Sequence, residues 1–315
     1  TSDEPHAAIV NAIGLGLEPQ TSTDEVFVLR FADFDAQTGL AVNEPLFEGD
    51  MIQGDREGLL IELRCNGGSL IKLSGRFRVA LSARRAGQDC ALDLLAGAVD
   101  VVTDLPTEVN VGGRIIGSEG TRYAVDAWAE TGATSVNLTV FEGAVSLRGA
   151  GEVQRIERMT TIALQSNASA EPTAIPEAKL QQHARLLGEF DSIKAIQTMQ
   201  NDGDEVDAEA TVQYYTQLNQ AVLSAPDDPT ARLRLALAQT AIDRPEAAQY
   251  NFKRLGVDEE QLLDEAVMQR FRQETIRLVP PSDQRIELLL RREPQLRQQL
   301  DSFRTQQNLN RGPGG

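Results

Sequence analysis

The chain has 315 residues, of which 41% are hydrophobic, so it is long enough to form two domains with buried cores. Its formal net charge of −17, from 47 acidic and 30 basic residues, argues against nucleic-acid binding, because it repels phosphate backbones and no dense run of Lys or Arg offsets it. No stretch approaches the roughly 20 consecutive apolar residues of a transmembrane helix, which argues against a membrane span in this sequence.

The first 23 residues give an ambiguous signal. The polar start at Thr1 is expected if a targeting peptide has been removed or if the sequence was trimmed. Residues 7–17 could form a short helix, but Gly14 and Gly16 interrupt it. We therefore assign residues 1–23 to an N-terminal arm that packs on the next domain or on a partner.

Residues 24–164 carry about ten short strand patterns with no helical run between them. Apolar and polar residues alternate, most clearly over residues 136–140. Residues 59–65 and 69–73 flank a turn of Asn and two Gly residues and predict a hairpin. We predict an all-β domain, and the sequence leaves a roll, a sandwich and a solenoid-like fold open.

Three motifs in this β-rich region resemble the FecR domain, an extracytoplasmic all-β module. They are a leucine strand that runs through a glycine into a valine strand, a Gly-Thr-x-aromatic-x-Val element, and a Val-x-Glu-Gly-x-Val hairpin. The motif residues are Gly97, Gly120, Thr121, Tyr123, Val125, Glu142 and Gly143. The resemblance implies a FecR-like β domain in the periplasm or at the cell surface, after removal of a signal peptide.

The two cysteines, Cys65 and Cys90, share strand parity with apolar neighbours such as Leu63 and Leu92, so both sulfur atoms should point to one buried face. This placement permits a disulfide, and two buried free thiols are the alternative. The FecR resemblance implies an oxidising compartment, which favours the disulfide.

The spacing of apolar residues changes after residue 164, from the alternation of strands to a linker and then to helical spacing. Residues 165–176 are rich in Ser, Ala, Asn and Pro and predict a linker. Residues 177–307 then carry helical patterns, and residues 308–315 should form a flexible tail. We predict helices over residues 177–199 and 208–224, and a third helix that starts with Asp228 as its cap and Pro229 in its first turn. The whole chain is therefore predicted to be a multidomain α+β protein, with a β domain followed by an all-α domain.

Part of the helical region resembles the tetratricopeptide repeat and gives one full repeat with half of another. The residues that carry the resemblance are Tyr214, Leu218, Ala221, Pro226, Leu235, Ala236, Ala248, Phe252 and Leu255. One such repeat does not bury its own apolar face, so flanking helices should cover it. Candidates are residues 259–278, 280–291 and 294–306.

The sequence contains few motifs that are typical of a catalytic or metal-binding site. His6 and His183 stand far apart, and neither an HExxH nor a CxxC motif occurs. The acidic residues of 202–209 could hold Ca²⁺, but they lack the ligand order of a calcium loop and predict a solvated loop. Glycine motifs at 14–16 and 117–120 are interpreted as turns. We therefore predict no catalytic residue, cofactor or metal.

We predict a non-catalytic extracytoplasmic scaffold, adaptor or structural subunit of a bacterial envelope or surface assembly. Its partners would be proteins: further copies in an oligomer or filament, or an outer-membrane or surface complex, bound through the helical domain and the β-domain edges. The candidate contact residues are Trp128, Tyr214, Tyr215, Tyr250 and Phe252.

Two other functions remain open. A cell-wall or carbohydrate-binding protein would use Trp128 and Tyr123, because aromatic rings stack on sugars. Strand parity places Tyr123 in the core and Trp128 on the opposite face, where we expect partial burial at a strand end. The FecR resemblance implies the second alternative, a signalling module.

Overall fold

The computed structural model describes residues 6–31, 35–130, 133–149, 152–164, 171–201, 203 and 206–255. The chain divides into two compact units, Thr1–Gln181 and Gln182–Gly315, called here the β unit and the helical unit. Strands come first along the sequence and helices follow, which confirms the predicted α+β class.

Strands dominate the described part of the β unit. In chain order they are β1 (Ala8–Leu15), β2 (Glu18–Gln20), β3 (Ser22–Arg30), β4 (Asp35–Ala41), β5 (Pro45–Leu46), β6 (Met51–Gly54), β7 (Leu59–Cys65), β8 (Leu70–Leu81), β9 (Cys90–Thr103), β10 (Thr107–Val111), β11 (Arg114–Ser118), β12 (Thr121–Glu130), β13 (Ala133–Glu142), β14 (Ala144–Gly149), β15 (Glu152–Glu157), β16 (Thr160–Leu164) and β17 (Thr173–Ala174). The helices are α1 (Glu177–Asn201), α2 (Ala208–Ser224), α3 (Pro229–Ala241) and α4 (Pro245–Arg254).

The long strands β8 and β9 divide the sheet into two branches. In the first branch, the first half of β8 lies between β7 and the second half of β9, with Ile71 opposite Val101. In the second branch, the second half of β8 lies between β6 and the first half of β9, with Val79 opposite Leu94. The register shifts between these two halves, so both strands take part in both branches.

Each branch grows outwards from β8 and β9. The first branch runs in the order β17, β16, β13, β12, β9, β8, β7, β1 and β2. The second runs in the order β15, β14, β11, β10, β9, β8, β6, β3 and β4. Among the pairings that the described residues make, β9 with β10 is parallel and the others are antiparallel. Antiparallel pairing agrees with the hairpin-length connections in the sequence.

Both branches contribute to one hydrophobic core. In the first branch, matched register places one buried residue from each of six neighbouring strands in a row: Ile61, Leu73, Val99, Val125, Leu138 and Ile162. The second branch has a corresponding row of Val28, Ile52, Val79 and Leu94. The alternation in sequence thus follows the burial of one face of each branch, and this apolar burial stabilises the unit.

The N-terminal segment is an integral strand. β1 pairs with β7 over its whole length, and Ala8, Val10 and Ile13 are fully buried. The helix considered for residues 7–17 is therefore wrong, and residues 8–15 are not a separate arm. Hydrogen bonds to the edge of β7 hold residues 8–15 in a strand conformation, and Gly14 is tolerated within this strand.

The predicted linker is partly tied to the β unit. Thr173 pairs with Thr161, so residues 173–174 extend the first branch as β17. Residues 165–170 lie outside the described residues. A short strand thus forms at residues 173–174 although the segment is rich in Ser and Pro.

The predicted disulfide between Cys65 and Cys90 is confirmed, with 6.0 Å between the two Cα atoms. Cys65 ends β7 of the first branch, and Cys90 begins β9 in the half that belongs to the second branch. The bond therefore connects the two branches at one end of the core, as buried cysteines in one hydrophobic cluster allow.

Loss of this disulfide should lower the free energy of unfolding by about 3 kcal/mol, because the chain-entropy model assigns that value to a loop of this length. We expect the urea midpoint of the native chain to fall after reduction, whereas a Cys65→Ala, Cys90→Ala variant should not respond to reductant. Uptake of two alkyl groups by denatured, unreduced protein, measured as intact mass, would contradict the bond.

The described helices match several sequence signals. α2 covers the predicted residues 208–224, and α3 begins at Pro229, a residue suited to a first turn. α1 and α2 approach so closely that a Cβ on Gly188 would stand 2.4 Å from Thr216 Oγ1. The tetratricopeptide assignment stays a prediction, and its candidate covering helices at 259–306 lie outside the described residues.

A buried polar network lies within the helical unit. Asp191 of α1 is 3.3 Å from Arg244 Nε, and its carboxylate accepts hydrogen bonds from Asn219 of α2 at 2.9 Å and Gln239 of α3 at 3.2 Å. Arg244 Nη1 donates to the Phe190 carbonyl at 2.7 Å. These charged and amide groups are almost fully buried, so they depend on one another for hydrogen bonds.

Candidate functional site

The aromatic residue of the Gly-Thr-x-aromatic-x-Val motif is part of the core. Tyr123 and Val125 are fully buried in β12. Burial raises the pKa of the Tyr123 hydroxyl above its usual value, the hydrogen bond from Ser118 lowers this pKa, and the carboxylates of Asp100 and Glu108 raise it. Tyr123 is thus held as a neutral phenol and is not available to a sugar or a partner.

The glycines of the other motifs also serve packing. Gly143 has φ of +73°, and a Cβ there would stand 2.5 Å from the Gly120 carbonyl oxygen and 2.6 Å from Thr121 Cγ2. Beside this contact, Glu142 and Arg122 form a buried ion pair at 3.5 Å. These motif residues therefore join the β13–β14 turn to the start of β12, which is a framework role.

The predicted partner-binding aromatics fall into two groups. Tyr214, Tyr215, Tyr250 and Phe252 are buried in the helical unit, which does not support the prediction that they contact a partner. Their helical spacing marks a core face, which sequence alone does not distinguish from a binding face. Trp128 is 48% exposed on β12, more than the expected partial burial.

The polar residues considered for metal binding have other roles or lie outside the described residues. Asp207 caps α2, where its side chain accepts a hydrogen bond from the Ala210 amide at 3.1 Å. Glu209 is exposed in the first turn of α2, and the other acidic residues of this group, at 202, 204 and 205, lie outside the described residues. His183 is buried in α1. Within the described ranges, no group of three or more His, Cys, Asp or Glu residues is arranged to hold a metal ion.

A groove of about 700 Å³ crosses the outer face of the second branch. Its centre is a row of residues opposite one another on β10, β11, β14 and β15, namely Glu108, Gly117, Ser146 and Arg155. Each alternates along its strand with core residues, so this row points away from the core. We call it the Gly117 groove.

Gly117 forms the floor of the groove. A Cβ at this position would stand 2.8 Å from Ser146 Oγ and 3.2 Å from Arg148 Nη2, so both side chains would have to shift to make room for it. Ser146 Oγ donates to the Gly117 carbonyl at 3.2 Å. Gly117 and Ser118 lie in β11 and not in the predicted turn. In the sequence, a glycine inside a strand pattern is the signal that could have predicted the close approach of neighbouring side chains to this position.

Arginines line the groove together with carboxylates. Arg148 Nη2 donates to Glu108 Oε1 at 2.9 Å, and Arg85 Nη1 lies 3.6 Å from the same oxygen. Arg155 Nε donates to Glu157 Oε1 at 2.7 Å. A guanidinium group has five N–H donors, and each of Arg148 and Arg155 uses one of them in these pairs. Both side chains therefore keep donors that can bind a further anion.

A second surface feature lies at the other end of this branch. Phe27 and Phe31 of the outer face are 39% and 58% exposed, and Leu29 between them stands opposite Met51 on β6 and Ala36 on β4. We call Phe27, Leu29, Phe31 and Met51 the apolar stripe. Large apolar side chains grouped in this way are typical of interaction surfaces.

No protein-family model matches the chain, and no curated protein matches it. Two crystal structures of a proposed anti-sigma factor from Parabacteroides distasonis ATCC 8503 are partly similar, each with 16% identity and with TM-scores of 0.36 and 0.35. The similarity covers 44% and 42% of this chain, and it spans 64% and 63% of those chains, less than two thirds of their length. None of the helices in the described part is long and apolar enough to cross a membrane.

Proposed function

We propose that this chain is a non-catalytic subunit of an extracytoplasmic assembly and binds protein partners through its FecR-like β unit. The observation that carries the proposal is the apolar stripe beside the edge strand β4. Phe27 and Phe31 would lose solvent contact on binding, which favours association by the hydrophobic effect. The disulfide supports the location, because such bonds persist in oxidising compartments.

The strand edges of the second branch support strand addition by a partner. Among the described residues, β4 pairs with β3 alone and β15 pairs with β14 alone, at opposite ends of the branch. From β15 to β4 the direction reverses at every pairing except the parallel pair β9–β10, so β4 is antiparallel to β15. The β15 strand of a second copy could therefore extend the sheet at β4 by antiparallel pairing, which permits a filament or ring.

Cross-linking of the chain in its native envelope, followed by mass spectrometry, tests this proposal. We expect stoichiometric cross-links to a protein partner or to a second copy, and a loss of these cross-links in a Phe27→Asn, Phe31→Asn variant. Leu105→Asn is the matched control, because Leu105 is 40% exposed and lies outside the stripe. Recovery of the native chain as a free monomer would contradict the proposal.

Exposure of Trp128 favours a second candidate, binding to cell-wall glycan. An exposed indole ring presents a flat apolar face on which a sugar can stack. Binding on a glycan array that is lost in Trp128→Ala, and retained in the stripe variant, would support this candidate in place of the first.

A further inference from the structure

We infer that the Gly117 groove binds an acidic peptide segment in an extended conformation, with two of its carboxylates on Arg148 and Arg155. This site is separate from the apolar stripe, and it names a class of partner that the proposed function leaves open. The inference is carried by the positions of the two arginines on neighbouring strands, the volume of the groove and the mixed charge of its lining.

The spacing of the arginines fits alternate side chains of an extended chain. Arg148 stands opposite Val153, and Arg155 lies two residues further along β15, so the arginines are diagonal neighbours on one face. Diagonal neighbours in an antiparallel pair are about 7–8 Å apart. Residues i and i+2 of an extended peptide are separated by roughly 6.6 Å and point to the same side. Two carboxylates at this interval match the strand positions of the two arginines. Each guanidinium, once it turns from Glu108 or Glu157 towards the peptide, can form a paired, charge-assisted contact.

The groove has space for a peptide backbone. The row from Glu108 to Arg155 crosses four strands, which corresponds to about 14 Å at the usual strand separation. An extended peptide of about four residues covers this distance. Above Gly117, Ser146 Oγ and Arg148 Nη2 occupy the space where a side chain would stand, so a peptide at the centre of the row meets the Arg148 guanidinium directly.

The carboxylates of the lining select against a densely charged ligand. Glu108, Glu119 and Glu157 lie among the groove residues, and they would repel the closely spaced charges of a polyphosphate or sulfated glycan. In a peptide, backbone N–H groups lie between the carboxylates. These N–H groups can donate hydrogen bonds to the glutamates of the lining. The net charge of −17 on the chain also disfavours acidic peptides elsewhere on its surface, so binding should depend on this groove.

The test is fluorescence anisotropy of the full chain with a labelled acetyl-Ser-Glu-Ser-Glu-Ser-amide peptide. We expect saturable binding that weakens as salt is raised, and at least tenfold weaker binding of the peptide in which both Glu are Gln. The Arg148→Gln, Arg155→Gln variant should lose at least tenfold in affinity. Arg185→Gln is the control, because Arg185 is also an exposed arginine paired with a glutamate, on α1.

Three results would overturn the inference. They are no saturable binding of the glutamate peptide, equal binding by the glutamine peptide, and equal affinity of the groove variant and the native chain. Tighter binding of heparin than of the peptide at the same site would assign the groove to a sulfated glycan. Since none of these assays uses the apolar stripe, the groove can fail as a peptide site while stripe-dependent cross-links persist, or the reverse.

Discussion

Asp191→Ala should lower the free energy of unfolding of the helical unit by about 3–5 kcal/mol, the usual cost of removing one partner from a buried ion pair. The substitution leaves the buried Arg244 guanidinium without its carboxylate and takes away the acceptor of Asn219 and Gln239. Three helices meet at this carboxylate, so its loss affects contacts of α1 with α2, with α3 and with the residue that precedes α4.

Urea unfolding followed by circular dichroism at 222 nm measures this effect. Glu189→Ala on the same helix is the control, because its pair with Arg185 is partly exposed and should contribute only about 0.3–0.5 kcal/mol. A double-mutant cycle with Arg244→Ala should show that the two losses are not additive. A loss below about 1 kcal/mol for Asp191→Ala would mean that the network stabilises the helices little.

Gly97→Ala should destabilise the β unit by about 4 kcal/mol, the sum of backbone strain and crowding. Gly97 lies in the part of β9 where the two branches separate, with φ of +95°. A Cβ there would stand 2.4 Å from the Arg76 carbonyl oxygen and 2.7 Å from Phe77 Cα, and backbone atoms cannot move aside easily.

Gly75→Ala separates these two costs. Gly75 lies on β8 with φ of +66°, but a Cβ there meets no atom within 4 Å. We expect it to cost only the left-handed strain, about 1–2 kcal/mol. Thermal unfolding of the two variants and the native chain provides the comparison, and equal melting temperatures for both variants would show that crowding at Gly97 is relieved.

Features set by local chemistry were predictable from the sequence. α2 has a side-chain cap at Asp207 and α3 has Pro229 in its first turn, and both bounds agree with the prediction. The disulfide was expected because strand parity places both cysteines on one face and the FecR resemblance implies an oxidising compartment.

Features set by distant partners were not predictable. β1 is a strand because β7, about 50 residues further along the chain, supplies its hydrogen bonds, and no local signal identifies that partner. The Gly117 groove depends on the register of four strands, so Glu108, Ser146 and Arg155 become neighbours only after pairing. The burial of the tyrosines of α2 was not predictable for a similar reason. Helical spacing identifies an apolar face of a helix, but it does not show whether that face packs in the core or binds a partner.

The sharing of β8 and β9 by both branches has a thermodynamic consequence. The second branch, which carries the groove and the stripe, uses the second half of β8 and the first half of β9, and the first branch uses the other halves of the same two strands. Opening of either branch is therefore coupled to opening of the other. A partner that binds only the outer face of the second branch should for this reason slow amide exchange in β12 and β13 of the first, where it makes no contact.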